Sequence, residues 1–371
     1  ELATKFDRSV MPGPGAQRPF TFGERQHFTL RNGLPVVLVE RHQAPLVEFS
    51  LGVYGGSSAD GAGKEGLANL TAAMLQEGAG GLSSQAFAEA VEEQGATLTA
   101  AAGYDAVTVR LTSLRENLQK SVGLMANLVA RPNLAQPDFD RVKALQITDL
   151  ARAMEQPNAL AAMAYARVLF GGGPYGHVVR GTKAGLSSLS LGDVKAYWAA
   201  YALPKNAVLV VAGDTTKAEI EPLLEQALSG WSGGDAPALP ESQAPDRTGR
   251  TIYVVDRPGS AQSVLVAGLR GPKRGSPEYA SLSAACFALG GGGVARLYMN
   301  LREDKGYTYG AYASLDARRL AGVLSAQASV GSAVTAPALK ELVAEIEGIA
   351  GGKPITQVEL EVAKADLADG Y

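Results

Sequence analysis

Two kinds of apolar pattern alternate along the chain. Short clusters of β-branched and apolar residues predict strands at Phe28–Leu30, Val36–Val39 and Val47–Val53, with Asn32-Gly33 as a hairpin signal between the first two. Apolar positions that return every three to four residues predict helices over 65–77 and 83–94. Thr97–Ala102 and Ala106–Thr112 read as a further hairpin turning near Gly103-Tyr104-Asp105. Helices follow at 116–130, 138–155 and 158–169, and the loop Gly171-Gly172-Gly173-Pro174 leads to another near 191–200. The strand Ala207–Ala212 and a helix over 216–228 close this half.

The pattern then breaks and restarts. Residues 230–249 hold Gly233-Gly234, Pro237, Pro240 and Pro245 with few large apolar side chains, the composition of a linker. After it come strands near 251–256 and 262–269, helices at 277–289 and 294–303, a hairpin at 307–329, and helices at 334–349 and from 356. The restart has a sequence trace. Glu92-Glu93-Gln94-Gly95-Ala96-Thr97-Leu98-Thr99-Ala100 aligns without a gap on Glu303-Asp304-Lys305-Gly306-Tyr307-Thr308-Tyr309-Gly310-Ala311, with Glu, Gly, Thr and Ala identical. The expected fold is therefore a duplicated α+β domain: a Pro/Gly-rich extended arm over 1–24, a first domain over 25–229, the linker, and a second domain over 250–371. The second copy lacks counterparts of the later helices and the last strand. It is expected to be incomplete and to expose apolar surface that something else covers.

Composition narrows the function classes. Of 371 residues, 46% are hydrophobic and 19% charged, which fits a folded globular protein. Lys+Arg minus Asp+Glu is 34 − 37 = −3, so no basic field points to nucleic acid. No run approaches the roughly 18–20 apolar residues of a membrane helix. A single cysteine, Cys286, excludes an internal disulfide framework, and three histidines, His27, His42 and His177, leave little for a His-based metal site. The chain does not begin with Met, and with its scarce cysteine this leans towards a processed protein of the bacterial periplasm, with the cytoplasm as the alternative.

Chemistry has few places to reside. At the offset of the repeat, Arg302 falls opposite Val91 and Tyr309 opposite Leu98. A guanidinium at a helix end and a phenol on the next strand supply two donors for a carbonyl oxygen or an oxyanion. Spacing alone favours the plainer reading, a surface arginine and an ordinary strand tyrosine. Gly290-Gly291-Gly292-Gly293 before a helix lacks the Gly-Lys-Ser/Thr ending of a phosphate loop and reads as a connection. Cys286, among Ala284, Ala285, Phe287 and Leu289, reads as a core thiol, and no G-x-S-x-G elbow is present.

Taken together, these pieces resemble the pitrilysin/insulinase-type zinc metallopeptidases, which include the mitochondrial processing peptidase. Phe28-Thr29-Leu30-Arg31-Asn32-Gly33-Leu34-Pro35-Val36-Val37-Leu38-Val39 looks like the family's opening hairpin. Gly55-Gly56-Ser57-Ser58, Pro174-Tyr175-Gly176, Gly181-Thr182 and the run Leu203–Asp214 look like its later landmarks, and Ala295–Tyr309 like its second-domain signature. The resemblance implies two homologous domains, each a mostly antiparallel sheet flanked by helices.

The departure from the family decides the expected role. The family's metal helix carries H-x-x-E-H, two zinc ligands and a water-activating glutamate. Here Asn69, Ala72 and Ala73 stand in those three places, and the third ligand's place falls near Asp149. The resemblance thus implies no zinc and no base in this chain, whereas Arg302 and Tyr309 match the family's pair that binds the substrate carbonyl and the tetrahedral intermediate. It implies a non-catalytic subunit of a heterodimeric zinc endopeptidase, acting on a peptide or unfolded protein. The zinc would sit in a homologous partner that keeps H-x-x-E-H. Gly290, Gly291, Gly292 and Gly293 would either line the substrate cavity or merely connect. The alternative is an inert scaffold or peptide-binding protein of the same fold.

Overall fold

The computed structural model describes residues 23–241 and 249–369. All but the last two residues of the expected N-terminal arm, and Pro245 of the linker, lie outside them. The first lobe runs β1 (Gln26–Thr29), β2 (Pro35–Glu40), β3 (Leu46–Tyr54), α1 (Leu67–Leu75), α2 (Ser84–Glu92), β4 (Thr97–Ala102), β5 (Ala106–Leu114), α3 (Leu118–Ala130), α4 (Gln136–Met154), α5 (Pro157–Phe170), α6 (Lys183–Ser188), α7 (Leu191–Tyr201), β6 (Ala207–Gly213) and α8 (Lys217–Ala227). The second runs β7 (Gln262–Gly271), α9 (Tyr279–Gly290), α10 (Arg296–Tyr298), β8 (Thr308–Ala317), β9 (Gly322–Gly331), α11 (Thr335–Ala350) and α12 (Gln357–Asp369). Both lobes are α+β.

Local chemistry sets many of these boundaries. Ser190 and Asp193 form a capping box at the start of α7, and Thr216 with Glu219 does the same for α8. Along β3, Val47, Phe49, Leu51 and Val53 are buried and alternate with more exposed neighbours, so one face of the strand joins the core. The first sheet has the order β1-β2-β6-β3-β5-β4, antiparallel except where β2 and β6 run parallel. The last strand of the lobe thus inserts between β2 and β3.

The second sheet has the order β7-β9-β8 and is antiparallel throughout. This matches β3-β5-β4. In each lobe the strand that follows the first helical stretch, β4 or β8, is reached through a left-handed glycine, Gly95 at φ +58° or Gly306 at φ +65°. Each central strand leads through a 3₁₀ turn, Arg115–Asn117 or Ser332–Val334, into a long helix.

One expected strand is absent. Residues 251–256 pair with no strand, and Ile252 and Val254 are 73% and 82% exposed. In the first lobe β6 bridges β2 to β3. No described strand fills that place beside β7, so the 251–256 backbone has no ladder to join.

Each lobe has its own apolar core, and a small third cluster of Leu169, Phe170, Tyr175 and Val323 joins them. Tyr175 is fully buried there. Its hydroxyl donates to Asp105 Oδ1 at 2.5 Å and accepts the Leu320 N–H at 3.1 Å, while the Arg319 N–H donates to Asp105 Oδ2 at 2.9 Å. The Arg318 guanidinium stacks 3.6 Å from the Tyr104 ring centre. The β4–β5 turn of one lobe is thereby fastened to the β8–β9 turn of the other.

Candidate functional site

Helix α1 carries Asn69, Ala72 and Ala73, the positions the resemblance sets against the family's metal motif. It begins at Gly66, and the Asp60 carboxylate fixes its first turn by accepting the Gly66 N–H at 2.7 Å and the Ala68 N–H at 2.8 Å. Burial pushes the Asp60 carboxyl up to about 7. Leu70, Met74 and Leu75 are buried. Ala72 is 2% exposed, and Asn69 and Ala73 are half-buried beside it. From α4, the Gln146 amide reaches the Asn69 carbonyl at 3.3 Å, and its own Oε1 is buried without a partner.

Asp149 does not share this contact. It lies almost a turn further along α4, its side chain 57% exposed and 3.7 Å from Arg152. Gln146 is the α4 residue that bonds to α1, whereas the Asp149 carboxylate, about 60° round the same helix, stands in solvent beside Arg152. A carboxamide, a neutral amide and two methyl groups do not fit a zinc ion, which needs imidazole, thiolate or carboxylate donors. Among the described residues no group of three or more His, Cys, Asp or Glu is placed to hold a metal.

Arg302 and Tyr309 lie in the second lobe, each on an irregular piece of backbone. Arg302 belongs to a π-helical turn, Met299–Asp304, that follows the single turn of α10. Tyr309 sits where the β8–β9 register slips between Thr308 and Ala311. The Thr308 hydroxyl holds that slip open: it donates to the Ser329 carbonyl at 2.7 Å and accepts the Gly310 N–H at 3.2 Å. Tyr309 is 88% exposed, and its hydroxyl has no partner among the described residues. The Arg302 guanidinium lies 4.7 Å from the Tyr298 ring centre and 3.6 Å from Glu303. Both donors are therefore presented to solvent with hydrogen-bonding capacity to spare.

The equivalent positions in the first lobe are occupied differently. Val91 and Leu98 line one small cleft between α2 and β4. Both lie on regular elements, and Leu98 pairs in register with Leu111.

The glycine run divides. Gly290 ends α9 and is buried; a Cβ there would come within 2.2 Å of the Ala313 N on β8. It is a packing glycine, and a Cβ at Gly291 would abut the Phe287 ring. Of the four, Gly292 alone has open space where a Cβ would go; one at Gly293 would touch the Tyr298 ring at 3.9 Å. Arg296, just after the run, makes a two-pronged bond to Glu359 at 2.6 and 2.7 Å and ties α10 to α12. Sequence reasoning passed over this pair because 63 residues separate its members.

The remaining candidates are structural. Cys286 is buried, and burial pushes its thiol up to about 11, which removes its nucleophilic form at neutral pH. His42 bonds to Asp214 at 2.7 Å at the end of the first sheet, and His177 bonds to the carbonyl of Val178.

Known proteins resemble the chain along most of its length. The family model described as insulinase, peptidase family M16, matches residues 35–183, and the one described as the peptidase M16 inactive domain matches 188–367. A non-peptidase homolog, YmxG, of Helicobacter pylori is 26% identical over 339 residues, covering 90% of this chain and 77% of the relative. A zinc protease of the same organism, PqqE, is 25% identical, covering 92% and 78%. The crystal structure of a peptidase M16 inactive domain from Pseudomonas fluorescens superposes with a TM-score of 0.87 at 28% identity, covering 93% of this chain and 83% of that one.

Proposed function

The chain belongs to the M16 peptidase family as a non-catalytic member, and we propose that it is the substrate-binding half of a two-subunit zinc endopeptidase. A homologous partner carrying H-x-x-E-H supplies the metal and the attacking water. This chain supplies part of the enclosing wall and two donors, Arg302 and Tyr309, for the scissile carbonyl as it becomes an oxyanion. One observation carries the reading: both donors project from backbone irregularities that the first lobe lacks at the matching positions, and both are exposed, Tyr309 with no partner among the described residues and Arg302 with only Glu303 at 3.6 Å. A residue kept only for packing needs neither a π-helical turn nor a strand slip. The two matching proteins of one organism, one named a non-peptidase and one a zinc protease, support a division of labour of this kind.

The test is peptide cleavage by this chain, by an H-x-x-E-H homologue from the same source, and by the two mixed. Chelator-sensitive cleavage only in the mixture is expected. Arg302→Ala should then lower kcat about 10²–10³-fold, the usual loss on removing an oxyanion donor, while the two chains still co-elute. Unchanged turnover with Arg302→Ala would favour the inert scaffold instead.

A further inference from the structure

A pocket of about 590 Å³ opens between the C-terminal half of α4, the first turns of α5 and the loop 178–180. Its apolar wall includes Ala162, Met163 and Val179, and Arg152, Arg180 and Asp149 stand around it. The site lies close to α1. The 178–180 loop runs into Thr182, whose N–H donates to the Glu65 carbonyl at 3.3 Å and whose hydroxyl donates to the Glu65 carboxylate at 3.2 Å, just ahead of α1. Helix α4 touches α1 through Gln146, almost one turn before Asp149. A peptide laid along the degenerate metal helix would therefore pass the mouth of this pocket.

The charges around the pocket are unbalanced. Arg180 is exposed and has no anionic partner among the described residues. Arg152 has only Asp149, at 3.7 Å, with side chains 78% and 57% exposed, a pair too solvated to hold either group. Two guanidinium groups and one carboxylate thus surround an apolar hollow. A basic peptide would meet repulsion there, and a purely aliphatic one would leave Arg180 without an acceptor. An acidic side chain with an aliphatic neighbour satisfies both the wall and the rim.

Resting on the reading of this chain as a peptide-binding subunit, we propose that this pocket is a specificity subsite for an acidic residue flanked by aliphatic ones. The guanidinium of Arg180 is the principal contact for the carboxylate. Arg152, partly engaged by Asp149, is the second.

The test uses the whole chain alone and fluorescence anisotropy with end-capped, labelled peptides that differ only in Glu against Gln between two valines. The Glu peptide should bind about tenfold more tightly, the worth of one charge-assisted contact, and the advantage should shrink as salt rises. Arg180→Gln should erase most of the difference by weakening the Glu peptide far more than the Gln peptide. Ala162→Trp, which fills the hollow, should weaken both peptides. Equal affinities for the two peptides, a preference that survives Arg180→Gln, or binding of neither peptide would each overturn the subsite. None of these outcomes touches the Arg302 turnover test in the mixed complex, so the two readings fail separately.

Discussion

The helix-to-strand joint is built twice in this chain, and the two versions differ in kind. In the first lobe a regular α2 meets a regular β4 through Gly95. Val91 there is 9% exposed, and Leu98 packs beside it against the core. In the second lobe α10 widens into a π-helical turn, passes Gly306 and enters a β8 that slips against its neighbour. Arg302 and Tyr309, at the matching positions, face solvent. The duplicated scaffold is the same: three strands in one order, a left-handed glycine, and a 3₁₀ turn before the next long helix. What changed is whether two side chains serve the core or are offered to something outside it. The first lobe holds asparagine and alanine at the places the resemblance assigns to the metal motif, so under the proposed function the chemistry left to this chain lies in the second.

Exchanging side chains between the joints should give very different losses. Val91→Arg places a cation at a mostly buried apolar position beside Phe87, Leu98 and Leu128. The expected loss is about 3 kcal/mol or more, read as a fall in the urea midpoint without a change in slope. A loss under 1 kcal/mol would mean that α2 swings outward easily and that the two joints differ less than their burial implies.

The contact between the lobes comes next in size. Asp105→Ala removes the acceptor for both the buried Tyr175 hydroxyl and the Arg319 N–H. Two donors left unpaired cost about 2–3 kcal/mol. Because that contact joins the lobes, differential scanning calorimetry should show the single transition broaden or split. A uniform shift of one sharp transition would show that α5 against β7 couples the lobes without it.

Within the second lobe, the Arg296–Glu359 pair gives a pH signature. The Arg296 guanidinium holds the Glu359 carboxyl down at about 2, against 4.5 when unpaired. A depressed carboxyl stabilises the fold above its unfolded value and loses that contribution as pH falls through the folded one. Glu359→Gln should therefore cost about 2 kcal/mol at pH 7, and the gap to the unaltered chain should close between pH 4.5 and pH 2. A gap independent of pH would show that Glu359 acts on α12 through neutral hydrogen bonds alone. Asp60 has the opposite sign. Burial raises it to about 7, so its ionisation opposes folding progressively between pH 4 and 7.

Most of the architecture was legible in the chain because period-two and period-3.6 patterns report burial directly, and the repeat around Gly95 and Gly306 marked the duplication. Three things were not. The insertion of β6 between β2 and β3 is a choice of partner, and strands rich in valine pair well with several neighbours. The stretch 251–256 has every local property of a strand but no described neighbour to supply its ladder, so propensity misled. Asp149 has the right chemistry near the expected place, but Gln146, almost a turn earlier, is the residue that bonds to α1, and the Asp149 carboxylate stands in solvent beside Arg152. In the candidate site, Arg302 and Tyr309 were visible as residues that broke the repeat. The π-helical turn and strand slip that present them depend on packing by Asn300 and Thr308, which no local pattern announces.

The smallest stability change is expected for the converse exchange, Arg302→Val with Tyr309→Leu. Arg302 is exposed beyond its stacking on Tyr298, and Tyr309 keeps only 12% of its surface covered (100 − 88). The pair should lose less than about 0.5 kcal/mol, the ordinary range for surface changes, and the isolated chain should melt almost as before. Turnover of the mixed peptidase should nevertheless fall at least as far as with Arg302→Ala, because both donors are gone. A clear drop in melting temperature would mean that the two side chains hold the π-helical turn and the slipped strand in place. Stability retained with turnover lost is the signature of residues kept for a substrate.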